Sequence, residues 1–316
     1  MKKILLATSA MVLAAGAASA EVALSGSARM GLVYDGTQNA GAGETFFSSR
    51  IRIVFTASGE TDTGLSFGAS VRNDQSGVGN AANGDSTVFI SGAFGKLTMG
   101  DVGGAADALV GQVSGVGYGP NDALQEIDFV GTTKTAVYYE YSAGALTFGL
   151  GAGQIYAPSS GGGADTADEL NIGVKYATDV YSVALGFETT DGTTAAPAVF
   201  VVPGSGVVYS EDLISLGGSA TFGAATVKAR VSDSDISGKD TTWALSVDYA
   251  MGATTLTAFY TDFGNTKVAL NDTQHIGVGA AYDLGGGASV AGGIVRQNND
   301  VAADNTFADV GLKFSF

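Results

Sequence analysis

The chain has 316 residues, with 15 basic against 31 acidic side chains and no cysteine, so disulfides and thiolate metal centres are excluded. A formal charge of −16 makes it a poor partner for nucleic acid, whose binding needs cationic contacts to phosphates. Its apolar content is 45%, yet after residue 20 no apolar run reaches the ~18–20 residues of a membrane helix.

The first segment reads as an export signal. Lys2 and Lys3 are followed by an apolar stretch from Ile4 to Ala17 and by the small-x-small motif Ala18-Ser19-Ala20. Cleavage is expected after Ala20, which divides the chain into a signal peptide, 1–20, and one domain, 21–316. Loss of the two lysines leaves 13 basic residues, and 13 − 31 gives a formal charge of −18.

From Glu21 onward the chain alternates with a period of two. Val22, Leu24, Ala28, Met30 and Leu32 share one face and Ser25, Ser27 and Arg29 the other. Phe47, Ile51 and Phe55 oppose Arg50 and Arg52, and Phe67 and Val71 oppose Arg72. Further on, Leu170, Ile172, Val174 and Tyr176 alternate with Glu169, Asn171 and Lys175. Val227 and Val231 alternate with Lys228 and Arg230, and Trp243, Leu245, Val247 and Tyr249 with Ser246 and Asp248. The connections are short and long in turn, seven short and eight long, which predicts sixteen strands with both termini at the short-turn end. Aromatics such as Tyr34, Phe47, Tyr141, Tyr176, Tyr181, Phe187, Tyr249 and Tyr282 stand near strand ends, as at the two interfaces of a membrane. An exported, glycine-rich, apolar chain without helical spans fits a closed all-β barrel, because closure satisfies every backbone group inside lipid. The expected fold is a 16-stranded antiparallel transmembrane β-barrel in a bacterial outer membrane.

The last strand, Asp309–Phe316, places Val310, Leu312, Phe314 and Phe316 on one face and Asp309 and Lys313 on the other. A terminal strand ending on phenylalanine resembles the signal read by the barrel assembly machinery. With Gly26–Gly31 (GSARMG), Ser48–Arg52 (SSRIR), Val88–Asp101 (VFISGAFGKLTMGD) and Tyr282–Val290 (YDLGGGASV), the chain resembles the general porins of purple alphaproteobacteria over nearly its whole mature length. The resemblance implies a homotrimer of barrels. Each would have a water-filled pore for passive diffusion of small hydrophilic solutes and ions, narrowed by an inward-folded third long loop.

Sixteen strands enclose more space than side chains fill, so a size-selective channel needs a constriction. The longest connection, Val102–Thr133, holds the position of that loop and carries Asp107, Asp122, Glu126 and Asp128. Alternation turns Arg29, Arg50, Arg52 and Arg72 inward, and an arginine facing hydrocarbon would cost ~2–4 kcal/mol at the midplane. These eight residues are the expected constriction, acid opposite base. Lys228, Arg230 and Lys313 face inward by the same parity.

Three weaker signals remain. Asp233, Asp235 and Asp240 have part of a calcium-loop spacing, but Ala244 stands where the bidentate Glu is needed, so they are at most a rim Ca²⁺ site; no other cofactor is expected. Acidic loops of this kind also suit divalent bridges to lipopolysaccharide. Gly64-Leu-Ser66-Phe-Gly68 matches a nucleophile-elbow pattern but opens a strand, and the chain's single histidine, His275, reads as a hydrated lumen residue, so an enzyme is not expected. Ala195–Val208 is an apolar stretch between strands with no assigned role. A solute-selective channel would need lumen aromatics, for which Tyr138 and Phe259 are the candidates. A structural or adhesive barrel would have its lumen plugged.

Overall fold

The computed structural model describes residues 21–76, 82–121, 123–129, 136–158, 164–194, 207–235, 240–266 and 271–316. Residues 1–20, expected to form the signal segment, Asp122 and most of the apolar stretch Ala195–Val208 lie outside these. Sixteen antiparallel strands among the described residues run in sequence order around a closed barrel. They are β1 (Glu21–Asp35), β2 (Glu44–Glu60), β3 (Ser66–Ser76), β4 (Ala82–Gly92), β5 (Gly95–Gly100), β6 (Ala136–Ala143), β7 (Leu146–Pro158) and β8 (Ala164–Ala177). The second half is β9 (Tyr181–Thr194), β10 (Val207–Phe222), β11 (Ala225–Ser234), β12 (Thr242–Met251), β13 (Thr254–Thr266), β14 (Asn271–Gly285), β15 (Ala288–Asn299) and β16 (Asn305–Ser315). β1 pairs with β16, Met30 opposite Leu312, so the sheet has no free edge.

The strands outrun the expected loops. β8 and β9 extend into segments read as connections, because Asp165, Asp168 and Asp191 still pair in the ladder above the apolar band. Short turns join the strands at one end, several of two residues. Gly144 and Gly252 have φ of 62° at the first turn position, a left-handed conformation that suits tight hairpins and that a side chain would strain.

The outward face is apolar. Leu24, Met30, Phe55, Leu150, Ile172, Leu216, Val247, Val278 and Val310 are all exposed, and Phe47 is 90% exposed. Aromatics border the band: Tyr176 lies 6.0 Å from Tyr181, and Trp243 stacks on Tyr260 at 4.8 Å.

The buried clusters lie inside the barrel. The segment between β5 and β6 carries a one-and-a-half-turn helix, α1 (Ala105–Val110), which packs on β7, β8, β9 and β10. Its small residues Ala105 and Ala106 are fully buried. The wall beneath is stripped to glycine. A methyl group on Gly186 would stand 2.5 Å from Ala106 Cβ, and one on Gly217 would stand 2.8 Å from Val110 Cγ1. Beyond α1 the chain continues along the wall. Val113 packs with Ile127 and Ala244, Val116 with Phe259 and Val295, and Tyr118 with Val33 and Ala291.

Candidate pore constriction

The barrel register brings the basic side chains together. Arg29 of β1 lies opposite both Arg50 of β2 and Lys313 of β16, which sets three cations in one row across adjacent strands. Arg52 is two residues from Arg50 on the same face and opposes Asp74 of β3. Like charges opposite one another weaken a sheet, so fold stability does not account for this row.

Asp74 offsets part of that repulsion. It accepts two hydrogen bonds from Arg50, one of them from Nε to Oδ1 at 2.7 Å. Arg52 Nε donates to its Oδ2 at 3.0 Å, and Arg72 Nε lies 3.6 Å from the same oxygen. One carboxylate thus holds three guanidiniums in a fixed array, in charge-assisted contacts of the stronger kind. Asp74 has the wall parity that turns Arg72 inward but was not among the expected residues.

Arg29, Arg50, Arg52 and Lys313 line a common open space with Tyr118, Ala123 and Glu126 of the loop. Of the expected acids, Glu126 is the one among the described residues that shares this space with the arginines. Arg72 stands one step behind, at Asp74. Asp128 exposes its side chain to the lumen while its backbone oxygen accepts from Arg230 Nη2 at 3.2 Å. Asp107 is not at the constriction: it lies on α1, half-buried against the wall, where burial pushes its carboxyl above the usual range and Arg230 partly opposes the shift. Helical packing of the loop turned that residue away from the water.

Arg230 is likewise removed from the channel. It is 3% exposed beneath the loop, donating to Ile127 O at 2.7 Å, to Asp128 O and to Ser232 Oγ, with Phe129 over its guanidinium at 3.7 Å. His275 is corrected in the same way. Rather than a hydrated lumen group it is 6% exposed, with Nδ1 2.6 Å from Leu124 O and its ring edge-on to Phe263. Other anchors complete the fastening. Ser114 donates from its N–H to Ser246 Oγ at 2.9 Å and from its hydroxyl to Asp248 Oδ2 at 2.6 Å. Thr261 donates to Gln125 O at 3.1 Å. Asp309 accepts from the N–H groups of Tyr118 and Asn121. Buried wall polar groups and orphan loop backbone groups satisfy one another, as an interior segment without regular structure requires.

The two lumen aromatics do not form a solute track. Phe259 is covered by Val116, and Tyr138 donates to Glu140 at 2.9 Å. The proposed calcium ligands are not gathered: Asp233 accepts from Thr241 at 2.6 Å and Asp235 from the Asp212 N–H at 2.7 Å. Among the described residues no three acidic or histidine side chains form a metal cradle. Ser66 begins β3 with no helix after it.

Comparison with known proteins gives a consistent answer. The profile of the Gram-negative porin family matches residues 7–302. A porin of Rhodobacter capsulatus is 36% identical over 94% of this chain and 100% of its own length. A porin of Fuscovulum blasticum is 27% identical over the same shares. A porin structure refined at 1.8 Å superposes with a TM-score of 0.72 at 33% identity, covering 94% of this chain and all of that one.

Proposed function

The chain belongs to the Gram-negative porins, an outer-membrane channel family, and from that premise we propose that it passes small hydrophilic solutes by size and polarity rather than by chemical identity. The observation that carries this reading is the constriction itself: Arg29, Arg50, Arg52 and Lys313 on the wall share an open space with Glu126 on a loop that is fastened beside it to β13 and β14. Charges of opposite sign across a narrow aqueous gap orient water in a transverse field. A polar solute aligns in that field and replaces the water it displaces, whereas an apolar solute does not. Asp74 and the anchored loop keep the charged groups from collapsing onto each other. The lumen aromatics are covered or bonded, which supports the non-specific reading over a solute-selective one. The remaining parts of the proposal are cleavage after Ala20, assembly into a homotrimer through the barrel assembly machinery, contact with lipopolysaccharide at the rim, and no catalytic activity.

Liposome swelling tests the reading. Neutral sugars of equal size and different stereochemistry are expected to enter at equal rates, with a steep fall as size rises. A large preference for one stereoisomer would instead show a selective site.

A further inference from the structure

The constriction does not account for every cation in the lumen. A separate cavity of about 210 Å³ lies between the wall and the exit of α1, roofed by Val110 and Gln112. Lys175 of β8 and Lys228 of β11 stand at its two sides, about 14 Å apart along the wall, three strand spacings. On the strands between them, Ser182 of β9 and Ser219 of β10 face each other with hydroxyls at 2.9 Å. Lys175 precedes the end of β8 at Ala177 and Lys228 follows the start of β11 at Ala225, so the cavity opens on the short-turn, periplasmic half of the lumen.

The charges here are not balanced. Among the described residues, no acidic side chain lines the cavity. Neither Lys175 nor Lys228 is held by a hydrogen bond or an ion pair among the described residues, unlike the wall cations at the constriction. Arg230, which also borders the space, has its donors committed to loop carbonyls and Ser232, and it is the group on which Glu188 and Asp107 act. Each ammonium offers three donors on a flexible stem. Both lysines line one recess with a hydroxyl floor, too small for a large solute and polar enough for a compact one. Between two unpaired ammoniums, a species with several acceptor oxygens and negative charge gains most.

We infer that this recess is a binding station for small oxyanions, phosphate or short dicarboxylates, in the short-turn half of the lumen and separate from the space that the arginines line. A solute held there sits next to the open path. The station therefore favours such anions over chloride at equal concentration without narrowing the pore. Its effect on transport rests on the channel reading above, but its affinity does not.

Two measurements separate the ideas. The first is a ³¹P line-broadening titration of inorganic phosphate with the detergent-purified protein. Saturable broadening is expected, with the half-saturating concentration rising about tenfold or more in K175Q/K228Q, each charge-assisted contact being worth about a decade. The charge-keeping K175R/K228R should retain it. Unchanged titration in K175Q/K228Q overturns the site, whatever the channel does. The second is phosphate inhibition of chloride current in planar bilayers, expected to shift in parallel while neutral-sugar swelling stays at the unsubstituted rate. Absence of any channel in both proteins would refute the channel reading and leave the titration standing. Where the double glutamine variant does not assemble, the single variants K175Q and K228Q decide in the same way, each expected to weaken binding.

Discussion

Arg230 illustrates how alternation alone can mislead about a side chain. Parity turns it inward, and it does point inward, but the loop covers it and uses three of its donors. Replacing it by methionine keeps the stem and removes the charge. Ile127 O and Asp128 O would lose their donors and Glu188 and Asp107 their counter-charge. Removing one partner of a buried ionic group costs about 3–5 kcal/mol, so Arg230→Met should release the loop. Broader open-channel current fluctuations in planar bilayers are the expected sign; a quiet channel of normal conductance would show that the other anchors suffice. The wall arginines give the complementary case. Arg29→Ala, Arg50→Ala and Arg52→Ala together remove bulk and charge from the open space, so conductance and the swelling cutoff should both rise. Values unchanged from the parent would place the constriction elsewhere.

Asp107 adds a pH dependence at the same level of detail. Burial raises its carboxyl above the unfolded value, so the folded state holds its proton more tightly. That contribution to stability is complete below the ordinary carboxylate range and is lost as pH rises through the raised value. Asp107→Asn should make the loop at neutral pH as steady as that of the unsubstituted protein in acid. If current fluctuations in Asp107→Asn keep the parent's pH dependence, another group is responsible. The inward arginines were legible because their alternative was hydrocarbon. The partners Asp74 and Lys313 required the register, which a single strand does not reveal. Asp107 was misplaced because its position on the long loop does not reveal the helical turn that sets its direction.

The strands were largely readable from hydrophobic period and turn chemistry, since each touches lipid on one side and water on the other. Val247 on β12 is a direct check of the lipid face. Val247→Arg should destabilise the barrel by about 2–4 kcal/mol in denaturant unfolding from bilayers; a negligible change would mean this face is covered by protein or water. Loop ends were less readable, because strands continue above the membrane where no alternation is enforced. The helix α1 was not foreseen at all: Ala105, Ala106, Leu109 and Val110 pack against glycines from four strands far away in sequence. That bed of glycines is a non-local pattern, visible once Gly149, Gly173, Gly186 and Gly217 are placed side by side. Gly186→Leu would overpack the contact by about 1–3 kcal/mol. It should push α1 toward the pore axis and lower conductance, while an unaltered conductance would show that the helix can shift along the wall.

Taken together, the molecule is a hydrocarbon-facing cylinder whose water-facing interior is partly filled by its own third long loop. Net acidity is spread over the strand ends and loops, while one interior space gathers Arg29, Arg50, Arg52 and Lys313, so overall charge is a poor guide to what a solute meets inside. The division between an apolar exterior and a wet, charged interior explains the strand pattern, the closed sheet and the fastened loop at once. Planar-bilayer recording of the purified mature protein tests that division most directly. Discrete, ohmic conductance steps are expected, with larger steps when Arg29, Arg50 and Arg52 are all alanine. Protein that remains monodisperse without detergent and never produces a conductance step would contradict it.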